Sequence, residues 1–266
     1  LPISSENIGE VLNQGIDACV NWNDKVGEDF TYNLGLNITF TKNKLRKTNE
    51  LSNIEDYRKS IGQPTSAIFG WQSQGLFGKD VAIAGHPFQS FGNYQVGDIA
   101  YADLNNDGMV DNNDQTRIGQ SFPKTTLGVD VTLNYKGFGL YILGTATTGV
   151  TQMLTSTYYW NKGLDGYSVL AEDRYHPVNN PTGTQPRLTT TSGVNNYRNS
   201  TFWTKNGSFF RLKNVELSYT LNNNSKKGIG KNYKFFVRGA NLFVLSGIKE
   251  LDPEQMLAGI SNYPVY

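Results

Sequence analysis

The chain has one cysteine, Cys19, and two histidines, His86 and His176. A single thiol excludes an internal disulfide. It suits the cytosol, or an envelope protein that does not use disulfides. The histidines stand in Gly85-His86-Pro87 and Tyr175-His176-Pro177, far apart and without a ligand-type partner, so loop packing is their default role. No apolar run approaches the ~20 residues of a membrane-crossing helix, which leaves short alternating β-spans open. Charge is scarce: charged residues are 18% of 266 and the net charge is +1. That gives no basic footprint for nucleic acid. No G-x-S-x-G elbow occurs, Cys19 has no nearby histidine, and nothing points to a glycosidase carboxylate pair. The expectation is a protein that is not an enzyme. No secretory leader is visible, and Leu1-Pro2-Ile3-Ser4-Ser5-Glu6 reads as a chain entered in the middle, a fragment or a mature product.

What is abundant points to β structure. Aromatics are 12%, with 15 Tyr and 14 Phe, beside 28 Gly. Phe30, Tyr32, Leu34, Leu36, Ile38 and Phe40 alternate with Thr31, Asn33, Gly35, Asn37 and Thr39. Leu127, Val129, Val131, Leu133 and Tyr135 repeat the pattern, as do Ile16, Ala18, Val20 and Trp22, and Val215, Leu217 and Tyr219. Period-two alternation gives each strand one greasy and one polar face, and puts Cys19 on the polar one. Strands are expected at 14–22, 30–41, 126–135, 139–147, 208–220 and 233–245. Most are longer than the 5–6 residues of an ordinary strand and close to the ~9–11 of a tilted membrane span. Aromatics cluster at strand ends, as in the girdles at membrane interfaces.

The connections alternate in length. Lys136-Gly137 makes a tight turn and Asn23 to Asp29 a short link, whereas about 42–125 and 147–207 are long. Short turns on one side and long loops on the other are the topology of an outer-membrane barrel, whose long loops are extracellular. A β-sandwich also alternates, so it stays open at this point. Ile54-Glu55-Asp56-Tyr57-Arg58-Lys59-Ser60 reads as a short helix, and Ile68-Phe69-Gly70-Trp71 as local β structure.

The most specific motif lies in the first long loop. Asp103, Asn105, Asp107, Asp111 and Asp114 occupy positions 1, 3, 5, 9 and 12 of a twelve-residue stretch, with Gly108 at position 6. This is the spacing of a calcium loop, in which alternating oxygens wrap a hard cation and Met109 adds its backbone carbonyl. Val110 should anchor the loop to a packed neighbour. Asp114 is shorter than the usual Glu, which weakens bidentate binding. Mg²⁺ or Na⁺ could occupy the loop instead, and a turn whose side chains cap their own backbone is the plainer alternative. Tyr94 to Tyr101 alternates and carries Gly97, so no helix enters the loop. The loop aromatics Trp71, Tyr158, Tyr159, Trp160 and Trp203 suit packing or an interface. Tyr158-Tyr159-Trp160 is the best candidate for cargo contact, because three adjacent rings in a polar loop are hard to bury together.

Several motifs carry a resemblance. Gly97-Asp98-Ile99-Ala100-Tyr101-Ala102-Asp103-Leu104-Asn105-Asn106-Asp107-Gly108, Gly207-Ser208-Phe209-Phe210-Arg211-Leu212-Lys213-Asn214-Val215, Gly239-Ala240-Asn241-Leu242-Phe243 and Leu251-Asp252-Pro253-Glu254 occur in order. Together they resemble the C-terminal third of SusC/RagA-type TonB-dependent outer-membrane transporters of Bacteroidetes, over nearly all of residues 1–266. The resemblance implies an all-β chain, an antiparallel segment of a 22-stranded transmembrane barrel. It implies a plug and TonB box outside this chain, and a last strand expected beyond Tyr263-Pro264-Val265-Tyr266. It also implies a SusD-like surface lipoprotein as partner, TonB acting through the plug, outer-membrane lipid around the barrel, and oligosaccharide or peptide cargo. A soluble calcium-stabilised sandwich that binds carbohydrate is the alternative, and a docking module, which usually carries two such loops, the third.

Overall fold

The structure is a computed structural model that describes residues 8–51, 53–163, 166–189, 195–222 and 232–254. Six long strands form one antiparallel sheet: β1 (Glu10–Val26), β2 (Phe30–Lys47), β3 (Thr125–Tyr135), β4 (Phe138–Thr148), β5 (Phe209–Asn222) and β6 (Asn232–Ser246). Their order in the sheet is their order in the chain, the simplest antiparallel connectivity. The strands run longer than the alternation alone indicates. Val26 still pairs with Phe30, so the link expected over Asn23–Asp29 shrinks to a turn around Gly27, whose φ of 65° suits glycine. Lys136, at φ 46°, and Gly137, at φ 87°, make the tight turn between β3 and β4.

Register turns the alternation of single strands into rows across the whole sheet. Val20, Leu36, Val129, Gly144, Leu212 and Phe243 are successive partners. So are Trp22, Leu34, Val131, Ile142, Val215 and Gly239. Next to the turns, Val26 is followed by Phe30, Tyr135, Phe138, Tyr219 and Phe235 in one row. Side chains two residues apart share a face, so these rows form one apolar surface edged by an aromatic belt. Phe138 and Tyr219 touch within it, ring centroids 4.6 Å apart. The other face carries the row Asn23, Asn33, Thr132, Tyr141, Glu216 and Arg238. There Glu216 binds Lys234 at 2.9 Å and Arg238 at 2.5 Å.

Among the described residues no second sheet covers the apolar face. Ile16, Val20, Phe235 and Val237 are exposed, Val237 at 77%. A sandwich buries this surface between two sheets, and the described residues supply only one long-stranded sheet, so the structure favours the barrel segment over the sandwich. Of the buried apolar residues among those described, Phe209 alone stands on a long strand. The core lies instead in the two long connections, which fold together at the far end of the sheet from the tight turns. Antiparallel pairs form there between Ala67–Trp71 and Gln115–Gln120, between Ser73–Leu76 and Ile99–Tyr101, and between Thr151–Met153 and Thr204–Asn206. Around them Trp71, Leu76, Phe91, Ile99, Tyr101, Val110, Leu154, Tyr159, Tyr175 and Trp203 make one buried cluster.

The helix expected over 54–60 is a single 3-10 turn, Asp56–Arg58. The Glu50 carboxylate accepts the Ser60 N–H at 2.6 Å and the Ser60 hydroxyl at 2.7 Å, so it bends the chain where a helix would continue. The expectation about a last strand after Tyr266 falls beside residues 255–266, outside the described residues.

The two faces of β2 should respond oppositely to charge. Leu36→Arg, on the apolar face, should destabilise the barrel by about 2–4 kcal/mol if that face meets lipid. Asn37→Arg, one residue on, should cost little. Denaturant unfolding of the detergent-solubilised full-length protein measures both, and equal effects would contradict the assignment of faces.

Candidate functional site

The acidic loop is a closed hydrogen-bonded turn. Asp103 accepts the Asn106 N–H at 2.7 Å with Oδ1 and the Gly108 N–H at 2.9 Å with Oδ2. Asn105 Oδ1 accepts the Asp107 N–H at 3.1 Å, and Asp107 Oδ1 accepts the Met109 N–H at 2.9 Å. Asp111 caps the turn Asn112–Asp114 by accepting the Asn113 N–H at 2.6 Å. Gly108, at φ 86°, and Asn106, at φ 59°, supply the left-handed backbone that the winding needs. Val110 is fully buried and its carbonyl accepts the Ser90 N–H at 3.0 Å, so it anchors the loop as expected.

Asp114 differs from the other acidic residues. It is fully buried. Its Oδ1 accepts the Leu104 N–H and its Oδ2 the Asp111 N–H, each at 2.7 Å, so it closes the loop's two ends on each other. Neighbours hold the loop from outside. Trp71 Nε1 donates to the Asp111 carbonyl at 2.8 Å, Tyr57 Oη to the Asn113 carbonyl at 2.9 Å, and Arg58 to the Asn113 side chain at 2.8 Å. Burial, with Asp114 and Glu55 nearby, holds the Tyr57 phenol above its ordinary pKa. The donors that this loop offers an ion are all oxygen, which suits a hard cation. Among the described residues, no three His, Cys, Asp or Glu side chains converge as a cage.

A polar network beneath the loop joins the two long connections, and no sequence motif pointed to it. Asp98 binds Arg187 at 2.8 Å and accepts from Asn196 Nδ2 at 2.8 Å. Gln89 donates to Asn195 Oδ1 at 2.6 Å and accepts the Tyr101 N–H at 2.7 Å. Trp203 Nε1 donates to the Asn196 carbonyl at 2.7 Å. Asn195 and Asn196 are enclosed, and their side chains satisfy backbone groups that the short strands leave unpaired. Apolar periodicity reports nothing about such residues.

The rings of Tyr158 and Tyr159 stay together at the aromatic cluster, and Trp160 turns away from them. Tyr159 is buried, with its hydroxyl 3.4 Å from the Glu250 carboxylate. Tyr158 meets it edge-on at 5.2 Å. Trp160 lies 5.7 Å from Tyr197 and 6.4 Å from Trp203, with Lys162 over its face at 5.4 Å. Trp71 and Trp203 are also buried. His86 contacts the Pro87 carbonyl and the Gln74 side chain, and His176 accepts the N–H groups of Val178 and Asn179. Two motifs far apart in sequence meet: Arg211 of β5 binds Asp252 and Glu254, while Lys213 binds Glu254 at 2.5 Å.

No protein-family model matches the chain. It is 26% identical over 263 residues to TonB-dependent receptor P26 of Formosa agariphila, covering 94% of this chain and 26% of that protein. It is 25% identical over 271 residues to TonB-dependent receptor SusC of Bacteroides thetaiotaomicron, covering 98% and 26%. The chain thus spans about a quarter of the length of these curated relatives. Its fold matches a chain of the RagAB peptide transporter with a TM-score of 0.71 at 19% identity, over 97% of this chain and 28% of that one. The RagAB peptide importer in its open-open state gives a TM-score of 0.69 at 17% identity, over 96% and 28%.

Asp114→Ala should open the acidic loop, because the half-buried Leu104 and Asp111 N–H groups lose their acceptor, at a cost of about 2–3 kcal/mol. Asp107→Ala removes an exposed contact and should cost under about 1 kcal/mol. Protease cleavage between residues 103 and 114 in the folded protein reads the difference, and equal cleavage of the two variants would refute it.

Proposed function

From a chain whose sequence and fold match one quarter of a SusC/RagA-type TonB-dependent receptor, we propose that it is the C-terminal barrel portion of an outer-membrane importer of glycans or peptides. One observation carries this reading: a single sheet whose apolar face, edged by Phe30, Tyr135, Phe138, Tyr219 and Phe235, is covered by none of the described residues. Such a face needs lipid as its solvent. The opposite face is polar and would line the lumen, where a plug from the rest of the receptor would sit and pass on the action of TonB. On this reading the folded long connections are extracellular. They would meet a SusD-like lipoprotein at the mouth of the barrel, and the protein moves cargo without catalysing a reaction.

The acidic loop is proposed to hold a structural Ca²⁺. Asp103, Asn105, Asp107, Asp111, Asp114 and the Met109 carbonyl would supply oxygens, and the ion would offset the crowding of their charges. The all-oxygen donor set supports this. Direct cargo contact by the 158–160 aromatics would fall to Tyr158 and Trp160, which keep surface exposure, while Tyr159 supports them from the core.

Detergent extraction of outer membranes, followed by mass spectrometry of the purified complex, tests the main reading. The expected result is a chain of several times this length together with a surface lipoprotein. Recovery of a free, water-soluble protein of this size would overturn it. For the ion, Asp103→Ala with Asp107→Ala should lower the calcium content of the purified receptor by about one equivalent per chain. Unchanged content would assign the loop to self-capping alone.

A further inference from the structure

β2 does not end where its apolar face ends. Leu34, Leu36, Ile38 and Phe40 share that face, and alternation places Lys42 and Lys44 on it directly beyond Phe40. Phe30 to Phe40 spans ten residue steps, about 33 Å along the strand at ~3.3 Å each, or about 25 Å in height at a tilt of ~40°. This is the height of the apolar band of an outer-membrane barrel. Lys42 and Lys44 therefore stand at headgroup level, on the side that faces lipid.

The sheet parts at this point. Phe40 pairs with Thr125, and the Thr41 N–H still donates to the Lys124 carbonyl at 2.8 Å. Beyond it Leu45 pairs with Gln63 instead, its N–H donating at 2.8 Å. The gap is a cleft of about 140 Å³, lined by Lys42, Lys44, Arg117, Lys124 and the exposed Phe122 among others, and by no Asp or Glu among the described residues. Arg117 is fixed there by the side-chain oxygens of Gln63 and Gln120, each at 3.0 Å. None of these four cations has a carboxylate partner among the described residues, whereas the neighbouring Arg46 is taken by Glu10 at 3.2 Å.

We propose that Lys42 and Lys44, with Arg117 beside them in the cleft, form a seat on the outer wall of the barrel for the phosphorylated headgroup of an outer-leaflet lipid. Two lysines two residues apart are about 7 Å from each other along the strand, close enough to share one phosphate or bridge two. Phe40 and Phe122 flank them with apolar surface for the lipid's upper acyl carbons. The inner, polar face carries Asn37, Thr39 and Thr41, with Lys124 opposite Thr41, so cargo in the lumen meets Lys124 but not Lys42 or Lys44. The seat would fix the height of the barrel in the membrane and brace the rim on which the folded connections stand. It rests on the membrane reading of the sheet.

The test uses the full-length receptor in detergent, titrated with monophosphoryl lipid A and followed by native mass spectrometry. Lys42→Gln with Lys44→Gln should raise the half-saturating lipid concentration by more than about tenfold. A dephosphorylated lipid should bind the wild type no better than phosphorylated lipid binds the variant. Inorganic phosphate should not displace the lipid. The mobility of the unboiled barrel on gels confirms that the variant is folded. Equal lipid binding by wild type and a folded variant would overturn the proposal. So would displacement by inorganic phosphate or by an acidic oligosaccharide, which would assign the cleft to a soluble anion. A receptor that needs no detergent would sink the membrane reading itself, a result distinct from either.

Discussion

The alignment of six strands in one register is the constraint on which the rest of this molecule depends. Each strand alone has a greasy and a polar face. The backbone hydrogen bonds between strands line those faces up, so that Val20, Leu36, Val129 and Leu212 fall on one side while Asn33, Thr132 and Glu216 fall on the other. A slip of one residue in any pair would send that strand's apolar set into the polar face. A sheet with a continuous apolar wall and nothing packed on it has only two stable fates, burial by another protein layer or immersion in lipid. The aromatic row beside the tight turns fits the second, since amphipathic rings favour the boundary between hydrocarbon and water.

This arrangement moves the hydrophobic core out of the main sheet. In a soluble β protein the sheet faces make the core; here the buried cluster is built by two long connections. Those connections are too irregular to pair all their backbone groups through strands. Asn195, Asn196, Gln89 and Asp98 take over that task, and their side chains bridge segments about a hundred residues apart in sequence. A buried amide or carboxylate costs free energy unless every polar atom finds a partner, so these contacts hold the connections in one shape. The acidic loop is part of this unit: Trp71 from the aromatic cluster donates directly to its backbone. An ion there would stiffen a loop that its own side chains already close.

Much of this was legible before any coordinates. Period-two alternation marked four of the six long strands, because a strand with one apolar and one polar face leaves the clearest pattern that β structure makes; 139–147 and 233–245 were β-rich but showed their faces less clearly. Strand ends were less legible. Lys42 to Lys47 read as loop because charge replaced the apolar residues, yet the backbone kept pairing. The segment 54–60 carried helix formers, but the Glu50 carboxylate captured its backbone at Ser60. Tyr158-Tyr159-Trp160 is three rings in a row within a polar loop. The fold turns the chain there, so Tyr158 and Tyr159 stay in edge-on contact while Trp160 turns to Tyr197 and Trp203.

The amino-acid sequence by itself determined the strands, their two faces, the tight turns and the oxygen spacing of the acidic loop. All of these are local, since they depend on residues a few positions apart and on backbone geometry. Only the tertiary structure decided which residues meet across distance. It joined Arg211 to Asp252, put Asp114 at the closure of its loop, and gathered Lys42, Lys44, Arg117 and Lys124 around one cleft. The physical reason is that charges and amides carry no periodic signature. Their roles appear only when long connections fold and bring partners within the few ångströms over which hydrogen bonds and ion pairs act.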